Sequence, residues 1–317
     1  MNTDRLPDAP LFRDPRLDGA ADPTVVLHRG TGQAWMFYTA RRATFRGEGV
    51  AWVHGTDIGI AVSDDGGASW RYRGVARGLE HEPGRNTYWA PEVVWHDGLY
   101  HMYVTYLRGV RTAWTGPRNI LHYTSADLEN WRFASVLPLP GDRTIDACVH
   151  PLPGGGWRMW FKDEADGSRI HCADSPDLRD WEALGRALPD DRPQEGPTVL
   201  RLGDSYWMLT DGWSGLLVHR SDDLAAWTPQ PGALLAGGGA RPDDEGPGHH
   251  AMALPRGRGD SAVLFYFTSP GGGQRSTVQA AALAVRGGRL VCDRDAPFSV
   301  GLRPGAVPVW RGGTAAD

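Results

Sequence analysis

A strand-pair module recurs five times along the chain, and this repetition constrains the fold more than any other feature. Each copy has an extended run, a turn containing glycine, and then a run rich in aromatic residues. The copies are DPTVVLHRGTGQAWMFYTA (22–40), APEVVWHDGLYHMYVTY (90–106), IDACVHPLPGGGWRMWFK (145–162), EGPTVLRLGDSYWMLTD (195–211) and GHHAMALPRGRGDSAVLFYFTS (248–269). β-Branched and aromatic residues on both sides of such turns predict antiparallel hairpins.

A second signature follows each of the first four modules and predicts another turn. It reads SDDGGASW (63–70), SADLENW (125–131), SPDLRDW (175–181) and SDDLAAW (221–227). Serine and aspartate side chains bond to nearby backbone amides in such turns. The aspartates are therefore predicted to form turns rather than to catalyse, and the tryptophan is predicted to cover the outer edge of its sheet. These aspartates are Asp65, Asp127, Asp177 and Asp223.

The spacing of the modules predicts their arrangement. Successive first strands begin 70, 54, 49 and 54 residues apart, which is typical of propeller blades. We therefore predict an all-β fold, a five-bladed β-propeller with four antiparallel strands per blade, as a single domain over residues 1–317. The blades are expected at about 22–75, 90–136, 145–184, 195–230 and 248–293, with an N-terminal lead-in and a short C-terminal tail. A parallel α/β fold is excluded because no sustained helical periodicity separates the strands.

Composition narrows the class of partner. Net charge of −5 argues against nucleic acid as a partner. The longest apolar runs, such as AVLFYF (262–267), are far too short to span a membrane. The start, MNTDRLPDAPLFRDP, lacks the apolar stretch of a signal peptide, so we expect a cytoplasmic protein. Nothing in the sequence indicates the oligomeric state.

Acidic residues stand at the heads of four first strands. They are Asp22, Glu92, Asp146 and Glu195, and the fifth head carries His249 and His250. Because first strands line the axis of a propeller, these side chains are expected to converge on one funnel despite their mutual repulsion. Glycoside hydrolysis with inversion needs such a set: a carboxylate that activates water and a carboxylic acid about 6.5–9.5 Å away that protonates the leaving oxygen.

The order and spacing of ADPTVV, WAPEVV, TIDACV and EGPTVL resemble glycoside hydrolase family 43, whose five-bladed propellers include arabinanases, arabinofuranosidases and xylosidases. The resemblance covers residues 20–293. It implies that Asp22 is the general base, that Glu195 is the general acid, and that Asp146 raises the pKa of the acid and orients it. Asp14 also precedes a proline, but no strand-like run follows it, so Asp22 is preferred.

The walls of the funnel are expected to supply the sugar contacts. Aromatic faces pack on sugar rings, and arginine donates to hydroxyl groups. Glu92 is expected to be structural or to accept a sugar hydroxyl, and Lys162 to meet Asp146 or the substrate. The predicted substrate-binding residues are Arg41, Trp52, Trp89, Glu92, Lys162, Trp213 and His250.

The leading hypothesis is an inverting, exo-acting glycosidase on arabinose- or xylose-containing oligosaccharides that requires no cofactor. A structural calcium on the axis beside His249 or His250 is an alternative to a hydrogen-bonding role for these histidines. SDDGGASW also fits the Asp-box of sialidases, but those have six blades. Two other functions stay open: a hydrolase resembling the agarooligosaccharide hydrolases, with His250 as the acid, and a carbohydrate-binding propeller without catalysis.

Overall fold

The predicted five-bladed propeller is confirmed by a computed structural model, which describes residues 6–256, 259, 261–302, 310–311 and 314–315. Each blade is a sheet of four antiparallel strands in sequence order from the axis outwards. The first and second blades contain β1 (Ala20–Leu27), β2 (Ala34–Ala40), β3 (Asp57–Ser63) and β4 (Arg71–Val75), then β5 (Thr87–His96), β6 (Leu99–Leu107), β7 (Asn119–Ser125) and β8 (Arg132–Val136).

The other three blades have the same order. They contain β9 (Thr144–Pro151), β10 (Trp157–Asp163), β11 (Arg169–Ser175) and β12 (Glu182–Arg186), β13 (Glu195–Leu202), β14 (Ser205–Asp211), β15 (Leu216–Ser221) and β16 (Thr228–Leu234), and β17 (His249–Pro255), β18 (Ser261–Thr268), β19 (Thr277–Arg286) and β20 (Arg289–Asp293). A short hairpin in the tail pairs β21 (Trp310–Arg311) with β22 (Thr314–Ala315).

The innermost strands close a ring around the axis. Strands β1, β5, β9, β13 and β17 each contact the next, and β17 contacts β1. The N-terminal lead-in reinforces this closure, because Phe12 pairs with Val278 and the Ala20 amide donates to the Ser276 carbonyl of the fifth blade. In the described part of the chain, helix is confined to 3₁₀ turns at Ala51–Val53 and Pro270–Gly272, and neither has the length of a membrane span.

The tryptophans of the repeated turns lie between blades, so the prediction that they cover the outer edge of their own sheet is wrong. Each indole packs edge-on against an aromatic ring of the second strand in the preceding blade, at interplanar angles of 84–88°. An indole between two blades is covered on both of its faces, whereas an indole at the outer edge of a sheet would be covered on one face only. The larger buried area explains why the indoles point toward the preceding blade. The pairs are Trp70–Phe265, Trp131–Phe37, Trp181–Tyr103 and Trp227–Trp160.

The aspartates of those turns have the structural role predicted for them. Asp127 accepts hydrogen bonds from the Glu129 and Asn130 amides, and its partner Ser125 receives the Leu128 amide. The same pattern holds the other turns through Asp65, Asp177 and Asp223.

All five innermost strands carry a β-bulge at the same register. In β1, for example, Asp22 and Pro23 oppose the single residue Tyr38 of β2. The first bulged residue lies in the left-handed region in every blade, with φ between 29° and 61°, which is uncommon for residues other than glycine. These residues are Asp22, Ala90, Asp146, Gly196 and His250.

Removal of an inter-blade indole should destabilise the whole propeller. Trp131 is 3% exposed and packs on Phe37 of the first blade, so Trp131→Ala should lower the free energy of unfolding by about 3–5 kcal/mol. Phe133→Ala is the matched control, because this ring is 45% exposed on the outer strand and should cost about 1 kcal/mol or less. Equal losses in urea-induced unfolding would contradict the inter-blade role.

Candidate active site

Asp22 is nearly buried at the head of β1 and lies between two cationic side chains. Its Oδ1 is 3.4 Å from Arg41 Nη2 and 3.5 Å from His250 Nδ1. The Arg41 guanidinium stacks over the Phe267 ring at 4.5 Å, which fixes its approach to the carboxylate. These two contacts orient the carboxylate and partly balance its charge. Both are longer than a strong hydrogen bond, so the carboxylate can still accept a hydrogen bond from another molecule.

Asp146 lies at the equivalent bulge of the third blade and contacts the fourth. Its amide donates to Thr105 Oγ1, and its Oδ2 accepts the Gly196 amide at 3.2 Å. Burial raises the pKa of Asp146 to about 7, and nearby Glu195 reinforces this rise while nearby His250 opposes it. Near neutral pH this side chain therefore takes up and releases a proton readily.

Glu195 precedes the bulge of the fourth blade and accepts hydrogen bonds on both of its oxygens. Lys162 Nζ donates to Oε2 at 2.7 Å, and Trp213 Nε1 donates to Oε1 at 3.0 Å. The indole of Trp213 is 44% exposed and lies over the Lys162 ammonium. Glu195, which the sequence predicts to be the general acid, therefore has an exposed aromatic ring directly beside it.

His250 shares the centre of the funnel with these acids. Gly196 must be glycine here, because a Cβ at this position would lie 2.7 Å from the His250 ring. Burial alone would lower the pKa of His250, but the surrounding carboxylates, led by Asp22 and Asp146, raise it. The imidazole therefore holds its proton to a higher pH than an ordinary histidine.

Asp211 is a site residue that sequence reasoning missed. Its Oδ2 accepts the His250 amide and lies 3.0 Å from His249 Nδ1, while Oδ1 accepts the Trp213 amide. This buried carboxylate thereby positions residues on both sides of the funnel. The signal that could have found it was its place at the end of β14, opposite Glu195 in the hairpin register.

Glu92 does not lie level with the other acids, which corrects the expectation from the strand heads. It lies two residues after Ala90, the first bulged residue of β5, and pairs with Tyr103. Its Oε1 accepts the Val149 amide at 2.9 Å and its Oε2 faces Thr24 Oγ1. Removal from bulk water raises the pKa of Glu92 to about 7, against the effect of these bonds. The geometry gives Glu92 a structural role between blades; its contact with a sugar stays a prediction.

Asp14 is excluded from this cluster. It is buried in the lead-in and accepts hydrogen bonds from the Arg16 and Leu17 amides and from the Tyr38 hydroxyl. The choice of Asp22 over Asp14 is thus supported by geometry.

A wall formed by the first two blades stands beside the cluster. The Val50 amide donates to the Thr112 carbonyl and joins the two long loops. Trp89 is buried in this wall, where its Nε1 donates to the Val53 carbonyl, and Trp114 beside it is 55% exposed. Trp52 lies half-buried in the turn Ala51–Val53. Trp89 is therefore a packing residue of the wall, whereas Trp114 and Trp213 present free aromatic surface.

The residues near the axis do not fit a calcium ion. Calcium prefers six to eight oxygen ligands, whereas His249 and His250 offer ring nitrogens that already face Asp211 and Asp22. No group of three or more His, Cys, Asp or Glu side chains suited to a metal occurs within the described residues. We therefore derive no chemistry from a metal.

The fold is similar to that of solved family-43 glycoside hydrolases. A thermostable family-43 glycoside hydrolase matches with a TM-score of 0.68 and 17% identity, over 92% of this chain and 97% of its own. A β-1,3-galactosidase of the family matches at 0.64 with 15% identity, over 89% and 93%. No family model and no curated protein sequence matches the chain.

A third match carries a bound oligosaccharide. It is a β-xylosidase/α-arabinofuranosidase from a compost microbial metagenome, in complex with xylotriose, with a TM-score of 0.63 and 14% identity over 87% of this chain and 94% of its own. These matches show that the five-bladed fold resembling family 43 is present over nearly the whole chain.

The raised pKa of Asp146 predicts a pH-dependent cost to stability. The folded protein binds this proton up to about pH 7, whereas an ordinary aspartate loses it at about pH 4. The free energy of unfolding should therefore fall as pH rises between these two values, by about 1.4 kcal/mol for each pH unit of that interval. Asp146→Asn cannot ionise and should be more stable than the wild type at pH 8, with little difference at pH 4.

Asp127→Asn provides the control for this measurement. Burial alone would raise the pKa of Asp127, but hydrogen bonds from Asn130 hold that pKa at about 2, so its variant should lose stability at pH 5 and at pH 8 alike. The stabilities are measured by chemical unfolding across this pH range. If Asp146→Asn is no more stable than the wild type at pH 8, the raised pKa of Asp146 is contradicted.

Proposed function

We propose that this five-bladed propeller is a glycoside hydrolase, with Asp22 as general base and Glu195 as general acid. The observation that carries the proposal is the meeting of three acids from three blades: Asp22 lies 3.5 Å from His250, and Asp146 accepts the amide of Gly196, the residue next to Glu195. Fold alone does not establish a reaction, so the proposal rests on the chemistry of this cluster. The likeness to solved family-43 hydrolases supports it.

The two roles follow from the two sides of the cluster. Asp22 has only long contacts, to Arg41 and His250, and is available to accept a proton from water. Glu195 borders the exposed indole of Trp213, where a leaving sugar has aromatic surface to pack on. A base and an acid on opposite sides of the substrate support hydrolysis with inversion.

Asp146 acts as the modulator in this scheme. Its Oδ2 accepts the Gly196 amide, so it orients the residue that follows the acid. Burial, and after it Glu195, raises the pKa of Asp146, so the two carboxyl groups oppose simultaneous ionisation, and this coupling is the modulator role that we propose.

The substrate proposed is a short oligosaccharide containing arabinose or xylose, cleaved from its end. The loops of the first two blades are joined through Val50 and Thr112, and exo action requires that they close one side of the funnel. The solved structures that resemble this fold include enzymes titled xylosidase, arabinofuranosidase and galactosidase, so galactosides belong in the test.

A second candidate uses His250 as the acid, as in hydrolases that act on agarooligosaccharides. The raised pKa of His250 favours it, because a protonated imidazole can donate. Its Nδ1, however, lies 3.5 Å from Asp22, the base. An acid in contact with the base does not flank the sugar from the other side, so the geometry favours Glu195.

Loss of either proposed catalytic carboxylate should abolish turnover and leave the fold intact. Asp22→Ala and Glu195→Ala should each lower kcat at least about 10²–10³-fold on unactivated pentosides. Asp222→Ala, which removes an exposed surface carboxylate, should retain full activity. Nitrophenyl α-arabinofuranoside, β-xyloside and galactosides identify the sugar that the wild type accepts, and the variants are then compared on a disaccharide of that sugar, whose leaving group needs protonation. Full turnover by either variant ends the proposed mechanism, and sugar binding without hydrolysis in the wild type indicates a binding propeller.

The identity of the acid is decided by comparing Glu195→Gln with His250→Gln. If Glu195 donates the proton, its variant should lose the alkaline limb of the pH–rate profile, while His250→Gln keeps that limb and loses rate through its effect on Asp22. If His250→Gln loses the alkaline limb and Glu195→Gln keeps it, His250 is the acid.

A further inference from the structure

Lys162 is a buried ammonium that lies between two carboxylates. Its side chain is 6% exposed, with Nζ 2.7 Å from Glu195 Oε2 and 3.4 Å from Glu164 Oε1. Burial by itself would lower the pKa of Lys162, but Glu195 and Asp146 raise it above its ordinary value. The group is therefore a permanent cation at the acid side of the funnel and not a nucleophilic amine.

The far side of Lys162 is held in place by a second ion pair. Glu164 Oε2 lies 2.8 Å from Arg118 Nε, and this arginine is 1% exposed. Arg143 approaches the same oxygen at 3.7 Å. Because Arg118 and Glu164 are packed and paired, Lys162 cannot swing away from Glu195 without leaving a buried charge unpaired.

The Lys162 ammonium is bound by protein carboxylates, through a hydrogen bond to Glu195 and an ion pair with Glu164, so its role is argued from these two contacts. The sequence suggested a contact with Asp146 or with the substrate, but the short contact of the ammonium is to Glu195. The Trp213 ring covers the ammonium at 5.5 Å. A sugar in the funnel would meet the indole and Glu195 before it met Nζ.

We propose that Lys162 is the positioning residue for proton donation, fixing Glu195 and stabilising the carboxylate that forms as its proton leaves. The inference rests on the proposed function. In that step the proton passes from Glu195 to the glycosidic oxygen, the electron pair of the breaking C–O bond goes to the same oxygen, and water attacks the anomeric carbon as Asp22 takes its proton. The effect of the ammonium is strongest where the negative charge on Glu195 is greatest, which lowers the barrier to the transfer.

Leaving-group dependence tests the proposal. Lys162→Met keeps the length of the side chain and removes the charge. With a disaccharide or alkyl glycoside, which needs protonation, kcat should fall about 10²-fold; with a dinitrophenyl glycoside, which leaves unprotonated, it should change little. Glu195→Gln should show the same contrast. An equal fall on both substrates would mean that Lys162 only supports the structure, and no fall would remove it from the mechanism.

Two further variants keep the test decisive if Lys162→Met is unstable. Glu164→Gln weakens the far-side support alone and should show a smaller loss with the same preference for activated leaving groups. Arg169→Met removes a guanidinium from the same blade, where it pairs with exposed Asp191, and should lose no selectivity between the leaving groups. If Glu164→Gln lowers kcat equally on the disaccharide and on the dinitrophenyl glycoside, the proposed role of Lys162 is overturned.

The contact itself is measurable without any activity. Lys162 is the only lysine in the sequence, so lysine labelled with ¹³C at Cε gives one side-chain NMR signal. That signal should move strongly in Glu195→Gln and stay in place in Asp222→Ala. An unmoved signal would refute the pairing, whereas a moved signal in a protein that hydrolyses no glycoside would refute the proposed function and leave the contact standing.

Discussion

The bulge at the head of each innermost strand is the constraint on which the site depends. An extra residue in the left-handed region turns one amide out of the ladder, and in four blades this amide donates to a side chain of the preceding blade: Thr39, Thr105, Asp146 or Asp211. The bond satisfies a buried amide and simultaneously fixes the angle between neighbouring blades. The same interaction that joins these neighbouring blades thus fixes the backbone from which the candidate site residues project.

The acidic side chains of the funnel do not each have a cationic partner of their own. Asp22 has Arg41 and His250 as neighbours, Glu195 has Lys162, and Asp146 stands between the two groups. Asp146 consequently carries the most unfavourable environment for an ionised carboxylate. Such an arrangement reduces stability near neutral pH and is retained where function needs a tuned proton.

The sequence predicts the architecture well because the repeat is visible in the chain, and the catalytic roles of the acidic strand heads stay a prediction. It predicts register less well. Counting from strand heads made Glu92 equivalent to Asp22, whereas the bulged position equivalent to Asp22 holds Ala90 and Glu92 lies two residues further on. The signal was present in the prolines of ADPT, WAPE and EGPT, since a bulge is where a strand tolerates a missing amide hydrogen. Asp211 was missed because its role appears only when two hairpins and a neighbouring blade are assembled.

A ring of equivalent backbone positions becomes a site only when its side chains differ. The five bulged positions carry Asp, Ala, Asp, Gly and His, so the symmetric fold presents an asymmetric set of charges. Glycine at position 196 leaves room for His250, and Glu195 stands at the preceding position, where it pairs with Lys162. An uneven set of charges therefore follows from local substitutions in a repeated scaffold, and solved structures at 14–17% identity share this backbone while their names cover different sugars.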